Sequence, residues 1–183
     1  MMHQNHIFKH RPIDPTLYVA DIAAIAIPAI HRHGEQEWRY ATLACQLHGH
    51  VGIYSLLGVK MGLYARKQLG ADIASMHVIS HAGNTPPMSC FNDGLQVATG
   101  STLGHGLIEV SHDSMPHAEA EFTLQNEHLH LRLKPSYSDI IQSEVSIAQA
   151  RYGEQAEYWQ QIRQLAIKYW LEWDRDKIFE RVQ

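Results

Sequence analysis

A chain of 183 residues with 45% apolar and 19% charged side chains is long enough to bury a real core and too apolar to stay disordered. Fifteen basic residues against nineteen acidic ones leave a formal net charge of −4, which excludes an extended basic face for nucleic acid. Two cysteines, Cys45 and Cys90, cannot make a disulfide framework, and no CxxC pair exists for a zinc ribbon, so a reducing, cytoplasmic setting is expected.

Residues 1–33 read as an N-terminal arm. The first fifteen are polar, with two prolines, and His3, His6, His10, His31 and His33 are read as solvated surface. Tyr18 to Ile30 is mostly apolar, but it carries Asp21 and Pro28 and is far too short to span a bilayer. An amphipathic arm or short helix packed on the core is expected there.

Residues 34–134 hold the motifs. Gly34 opens a helix with Glu35 and Glu37 in its first turn, where the helix dipole favours acids. Trp38, Leu43, Ala44 and Leu47 form its apolar face, and it ends near Leu47 at the run His48-Gly49-His50. A second helix is predicted from Ile53 to Leu69, stopped by Gly70. Gly58 and Gly62 share one face of it, open to close approach by a strand, a helix or a dimer mate, or else simply tolerated inside a buried helix.

Met76 to Ser80 reads as a strand, followed by a loop from His81 to Met88. A short helix is expected over Asn92–Thr99, with Cys90 at its N-terminus, a place that lowers a thiol's pKa. A glycine-punctuated loop, Gly100 to Gly106, precedes a strand over Leu107–Val110. Glu119–Leu124 and His128–Leu133 alternate around Asn126-Glu127, the pattern of an antiparallel hairpin.

Residues 135–183 predict two helices, from Pro135 to about Tyr152 and from Glu154 towards Trp173, parted by Gly153. Trp159, Ile162, Leu165, Ala166, Tyr169 and Trp170 supply the apolar face of the last one. The fold class is α+β: one domain with a small, mainly antiparallel sheet covered by helices.

Chemistry concentrates in two places. In His48-Gly49-His50, side chains two residues apart can turn to the same side and present two imidazoles to one ion. The glycine between them leaves room and backbone freedom. Some forty residues on comes Pro86-Pro87-Met88-Ser89-Cys90-Phe91-Asn92-Asp93-Gly94-Leu95-Gln96-Val97-Ala98-Thr99-Gly100-Ser101-Thr102-Leu103-Gly104. Together, over roughly His48 to Val110, these motifs resemble the E-subunit family of formylmethanofuran dehydrogenase. That resemblance implies an α+β core, an intertwined homodimer, and a metal held by His48, His50 and Cys90. The donor chemistry agrees: two imidazoles and a thiolate suit Zn²⁺ first and Ni²⁺ second, and three protein ligands leave a position open.

This chain departs from the family in three ways. It has Gly52 and Ile53 where many members carry a cysteine and a proline, and His105 where the glycine loop often carries lysine. It also lacks cysteines for the zinc finger that some members append, so it reads as a core-only member. Nothing in it could hold the pterin catalyst of the namesake enzyme.

Two functions compete. One is a metal-binding module, such as a sensor, carrier or chaperone; the other is a metal-dependent enzyme with a small-molecule substrate. In the second, His105 would be a fourth ligand or, like His81, the base, and Asp93, Gln96, Thr99 and Thr102 would line the pocket or hold ligands. Blander roles stand beside these: Asp93 as a helix-N-terminal carboxylate, Gln96 as packing or capping, His105 as an exposed loop residue. A metal-free covalent or redox role for Cys90, or an ion that only staples a dimer, completes the set. The partners expected are a second copy of the chain and a small molecule, with no membrane.

Overall fold

Residues 13–111 and 115–182 are described by a computed structural model. They form α1 (Ala20–His33), α2 (Glu35–His48), α3 (Ile53–Leu69), β1 (His77–Ser80), α4 (Phe91–Thr99) and β2 (Ile108–Val110). Then come β3 (Glu119–Leu124), β4 (Glu127–Leu133), α5 (Pro135–Tyr152), α6 (Ala156–Glu172), the one-turn α7 (Arg175–Ile178) and β5 (Phe179–Arg181).

Helix α3 is the centre. Its Leu56, Leu57, Val59, Met61, Leu63 and Ala65 are buried on every side, which places a helix inside a core and not along its edge. It packs on α2, α4, α6 and β4. Gly52 precedes it, and Gly70 ends it in the left-handed conformation at φ 62°.

The glycine face of α3 meets α4 of the same chain. A Cβ on Gly58 would stand 2.1 Å from the Phe91 carbonyl oxygen, and one on Gly94 would stand 1.9 Å from that of Ser55. The two backbones therefore touch, and among the three partners open to this face the occupant is a helix. Gly62 faces Ala98 and Thr99, one turn further along.

The sheet has strand order β2-β1-β3-β4-β5, with β1 and β2 parallel and the remaining pairs antiparallel. Alternation sends Val78, Ser80, Ala120, Phe122, Leu129, Leu131 and Leu133 into the core. The β3–β4 turn sits one residue earlier than the pattern suggested: Leu124 pairs with Glu127, and Gln125 takes φ 54° in the two-residue loop. Strand β5 was not expected. It is three residues long, too short to show alternation, and it follows a turn whose Asp174 side chain accepts from the Asp176 amide.

Helix α1 packs on α2 and α6, as an amphipathic arm should. His33 at its end is not solvated surface. It is buried, with Nε2 2.8 Å from the Leu171 carbonyl oxygen. His3, His6 and His10 lie outside the described residues. Beside His33 is a buried ionic knot: Lys60 Nζ donates to Glu37 Oε1 at 2.5 Å and to the Trp173 carbonyl at 2.8 Å. Arg175 Nη1 donates to Glu37 Oε2 at 2.6 Å and to the His33 carbonyl at 3.0 Å. This knot ties the C-terminal segment to α1, α2 and α3. Among the described residues, no helix is long and apolar enough to cross a membrane.

Candidate metal centre

Helix α2 ends at His48 because Gly49 turns the chain in the left-handed region, φ 84°. His50 follows, and the chain re-enters helix at Ile53. This sharp link sets the His48 and His50 rings 4.2 Å apart between centroids, tilted by 43°.

The two nitrogens of His48 have different fates. Nδ1 is 2.8 Å from Asp93 Oδ2, on the first turn of α4. Nε2 is buried and has no hydrogen-bond partner among the described residues. A carboxylate on Nδ1 holds the proton there and leaves the Nε2 lone pair free, which is the tautomer a metal ligand needs. Asp93 is thus more than a helix-N-terminal carboxylate. Next to Nε2 the chain has no side chain at residue 52: a Cβ there would lie 3.2 Å from His48 Nε2. This is the position where the family resemblance leads one to expect cysteine.

Burial first, and then the neighbouring His48, push the His50 pKa below the ordinary imidazole value, which favours the neutral, ligand-competent ring. Cys90 ends a single 3₁₀ turn, Met88–Cys90, and leads into α4. The expected lowering of its thiol pKa is not met. Burial, and then the Asp93 carboxylate, push the thiol up, against a smaller opposing backbone hydrogen bond. Only a bound cation would offset both costs and favour the thiolate.

His48, His50 and Cys90 line one cleft of about 610 Å³, but their ligand atoms do not all lie within 4.8 Å of one another. One wall is Gly52, Ile53 and Tyr54 at the start of α3. The other is the α5–α6 hairpin, through Ile141, Val145, Tyr158, Trp159 and Ile162. The sequence reading missed that second wall. Trp159 looked like core, yet it is 63% exposed at the cleft, whereas Leu165, Ala166, Tyr169 and Trp170 are buried as expected.

Other candidates lie outside the cleft lining. Gln96 Oε1 accepts from the Leu103 amide at 3.1 Å and braces the glycine loop. Thr99 is fully buried; its hydroxyl donates to the Leu95 carbonyl and accepts from the Ser101 amide. Thr102 caps the next turn by accepting from the His105 amide. His105 is exposed, with Nδ1 3.2 Å from the Gly100 carbonyl oxygen. His81 joins Glu121 on the sheet, at 2.9 Å.

Comparison with known proteins adds two findings. A family model described as "FmdE, Molybdenum formylmethanofuran dehydrogenase operon" matches residues 47–180. A curated "Probable S-adenosyl-L-methionine-binding protein" from Archaeoglobus fulgidus is 36% identical over 64 residues. That match takes in 34% of this chain and 18% of the relative's length.

Proposed function

The chain belongs to the FmdE family, and from that membership we propose that it binds a divalent transition metal through His48, His50 and Cys90. Zn²⁺ is the first candidate and Ni²⁺ the second. The observation that carries this reading is His48, with Nδ1 held by Asp93 and Nε2 buried without a partner among the described residues. A bound ion of this class supplies Lewis acidity. The chain's own residues orient the ligands and shape a cleft open on one side.

That cleft favours a role beyond a structural staple. Its volume and its Tyr54, Tyr158 and Trp159 suit a small molecule with a flat or apolar part beside the metal. A metal-dependent enzyme and a metal sensor would each use this cleft. S-adenosyl-L-methionine, named in the Archaeoglobus relative, is one compound to test in it. We also propose a cytoplasmic homodimer. The glycine face no longer supports the dimer, since α4 occupies it; the exposed Leu17, Val19, Ile27 and Ile147 do.

The test is metal content with and without each ligand, read beside alkylation of Cys90. Zn²⁺ should protect Cys90 from iodoacetamide, and His48→Ala and Cys90→Ala should each lose most of the bound ion. Full occupancy in Cys90→Ala would remove Cys90 from the ligand set.

A further inference from the structure

The outer face of the sheet carries a second convergence of metal-binding side chains. On β3 and β4, Ala120, Phe122, Leu129 and Leu131 turn inward towards the core. Alternation then puts Glu119, Glu121, His128 and His130 on the opposite face. Register sets Glu121 directly across from His130. His81, just past β1, is fixed to the same region by its amide, which donates to the Glu119 carbonyl at 2.9 Å. The result is a triangle. One ligand atom from each of His81, Glu121 and His130 lies within 4.8 Å of the other two, in the only such group of three among the described residues.

Ligand atoms around a tetrahedral ion at 2.0–2.2 Å stand about 3.4 Å apart, so closing this triangle shortens any pair by no more than about 1.4 Å. The His81 and His130 rings are already 5.5 Å apart between centroids and tilted by 32°. Their far ends are anchored. Ser111 Oγ lies 3.2 Å from His81 Nδ1, and Glu119 Oε1 lies 2.8 Å from His130 Nε2. Outer partners of this kind orient imidazoles in metal centres. His128 Nε2, 3.0 Å from Glu121 Oε2, holds the second carboxylate oxygen. The three side chains are 18%, 28% and 21% exposed, shielded yet reachable by an ion.

We propose that His81, Glu121 and His130 form a second metal site, which takes a first-row divalent ion through two imidazole nitrogens and one carboxylate oxygen. None of the three lines the cleft, and their sheet face is the one turned away from α3. Two histidines and a carboxylate leave coordination positions open, as in sites that hold Fe²⁺, Mn²⁺ or Zn²⁺. For the ion to take His81 Nε2, the ring proton resides on Nδ1, where Ser111 Oγ accepts it. The Glu121 carboxylate needs no proton change.

The experiment titrates the chelator-stripped full chain with Co²⁺ alone, in wild type and in the His48→Ala/Cys90→Ala background that disables the cleft. That background should still bind one equivalent, with a cobalt spectrum lacking thiolate charge transfer. Adding Glu121→Gln or His130→Ala should weaken this binding at least about tenfold. No binding in that background, or affinity unchanged by Glu121→Gln, overturns the site. A second measurement needs no variant. Sub-stoichiometric Mn²⁺ added to the stripped wild-type chain should broaden the imidazole NMR signals of His81 and His130. If both stay sharp, the assignment is wrong. Failure of the cleft reading would show differently, as loss of metal protection at Cys90 in the wild type.

Discussion

Asp93 and His48 are forty-five residues apart in the chain and meet at 2.8 Å, carboxylate oxygen to imidazole nitrogen. The acid comes from the first turn of α4 and the base from the last residue of α2. Two helix ends therefore define one tautomer, and that tautomer leaves a buried lone pair on Nε2 beside Gly52.

Asp93→Asn should weaken metal binding about 10- to 100-fold, the usual cost of losing an outer carboxylate on a ligating histidine. Competition against a chromophoric chelator measures it, with circular dichroism as the control for folding. Unchanged affinity would reduce Asp93 to a helix-end charge.

Gly58→Ala and Gly94→Ala should each cost about 3 kcal/mol or more, because the new methyl meets main chain that cannot step aside. Gly62→Ala should cost less, since its nearest atoms are the side chains of Ala98 and Thr99. Urea unfolding of the three variants ranks them. A Gly62→Ala cost equal to the other two would contradict the backbone contact.

Lys60→Met removes one of two cations from Glu37 and leaves a buried carboxylate with Arg175 alone. A loss of about 3–5 kcal/mol is expected from breaking a buried pair on one side. Glu37→Gln should cost as much, by stranding Lys60. A melting temperature within the error of wild type for either would mean that water reaches the knot.

Stability should fall as the pH drops below about 6.5, the ordinary histidine value. Burial first, and then Lys60, lower the His33 pKa in the folded chain, against the opposing pull of Glu37. The unfolded chain then binds more protons than the folded one in this window, so stability is full above 6.5 and is lost downward. The slope due to His33 is at most about 1.4 kcal/mol per pH unit. Denaturant midpoints at pH 7.5 and 5.5 test it, and His33→Gln should flatten the difference.

Much of this was legible in the residues themselves. The bounds of α3 could be read because glycines stand at both ends and apolar residues fill the turns between. The β3–β4 hairpin showed as alternation, and the His48–His50 pair as spacing. What stayed hidden depends on contacts between distant segments. Gly94 looked like part of a motif, and only the crossing with Ser55 shows why it has no side chain. Trp159 has the same apolarity whether it faces core or cleft. His81 seemed to belong with the nearby Cys90 loop, but strand parity and register carry it to Glu121. The Cys90 thiol was judged from its helix end, and burial together with Asp93 outweighed that local effect.

The touching backbones of α3 and α4 work as a gauge for the cleft. A slip of α4 by one residue would put Asp93 or Leu95 against the Ser55 carbonyl, where no β-carbon fits. The same slip would rotate every side chain on α4 by about 100°, carrying Asp93 away from His48 and turning the chain at Cys90 with it. Helix register and the placement of Asp93 are therefore set by one crossing. Sequence drift that respects Gly58 and Gly94 can remodel the cleft walls freely while the spacing of the candidate ligands stays put.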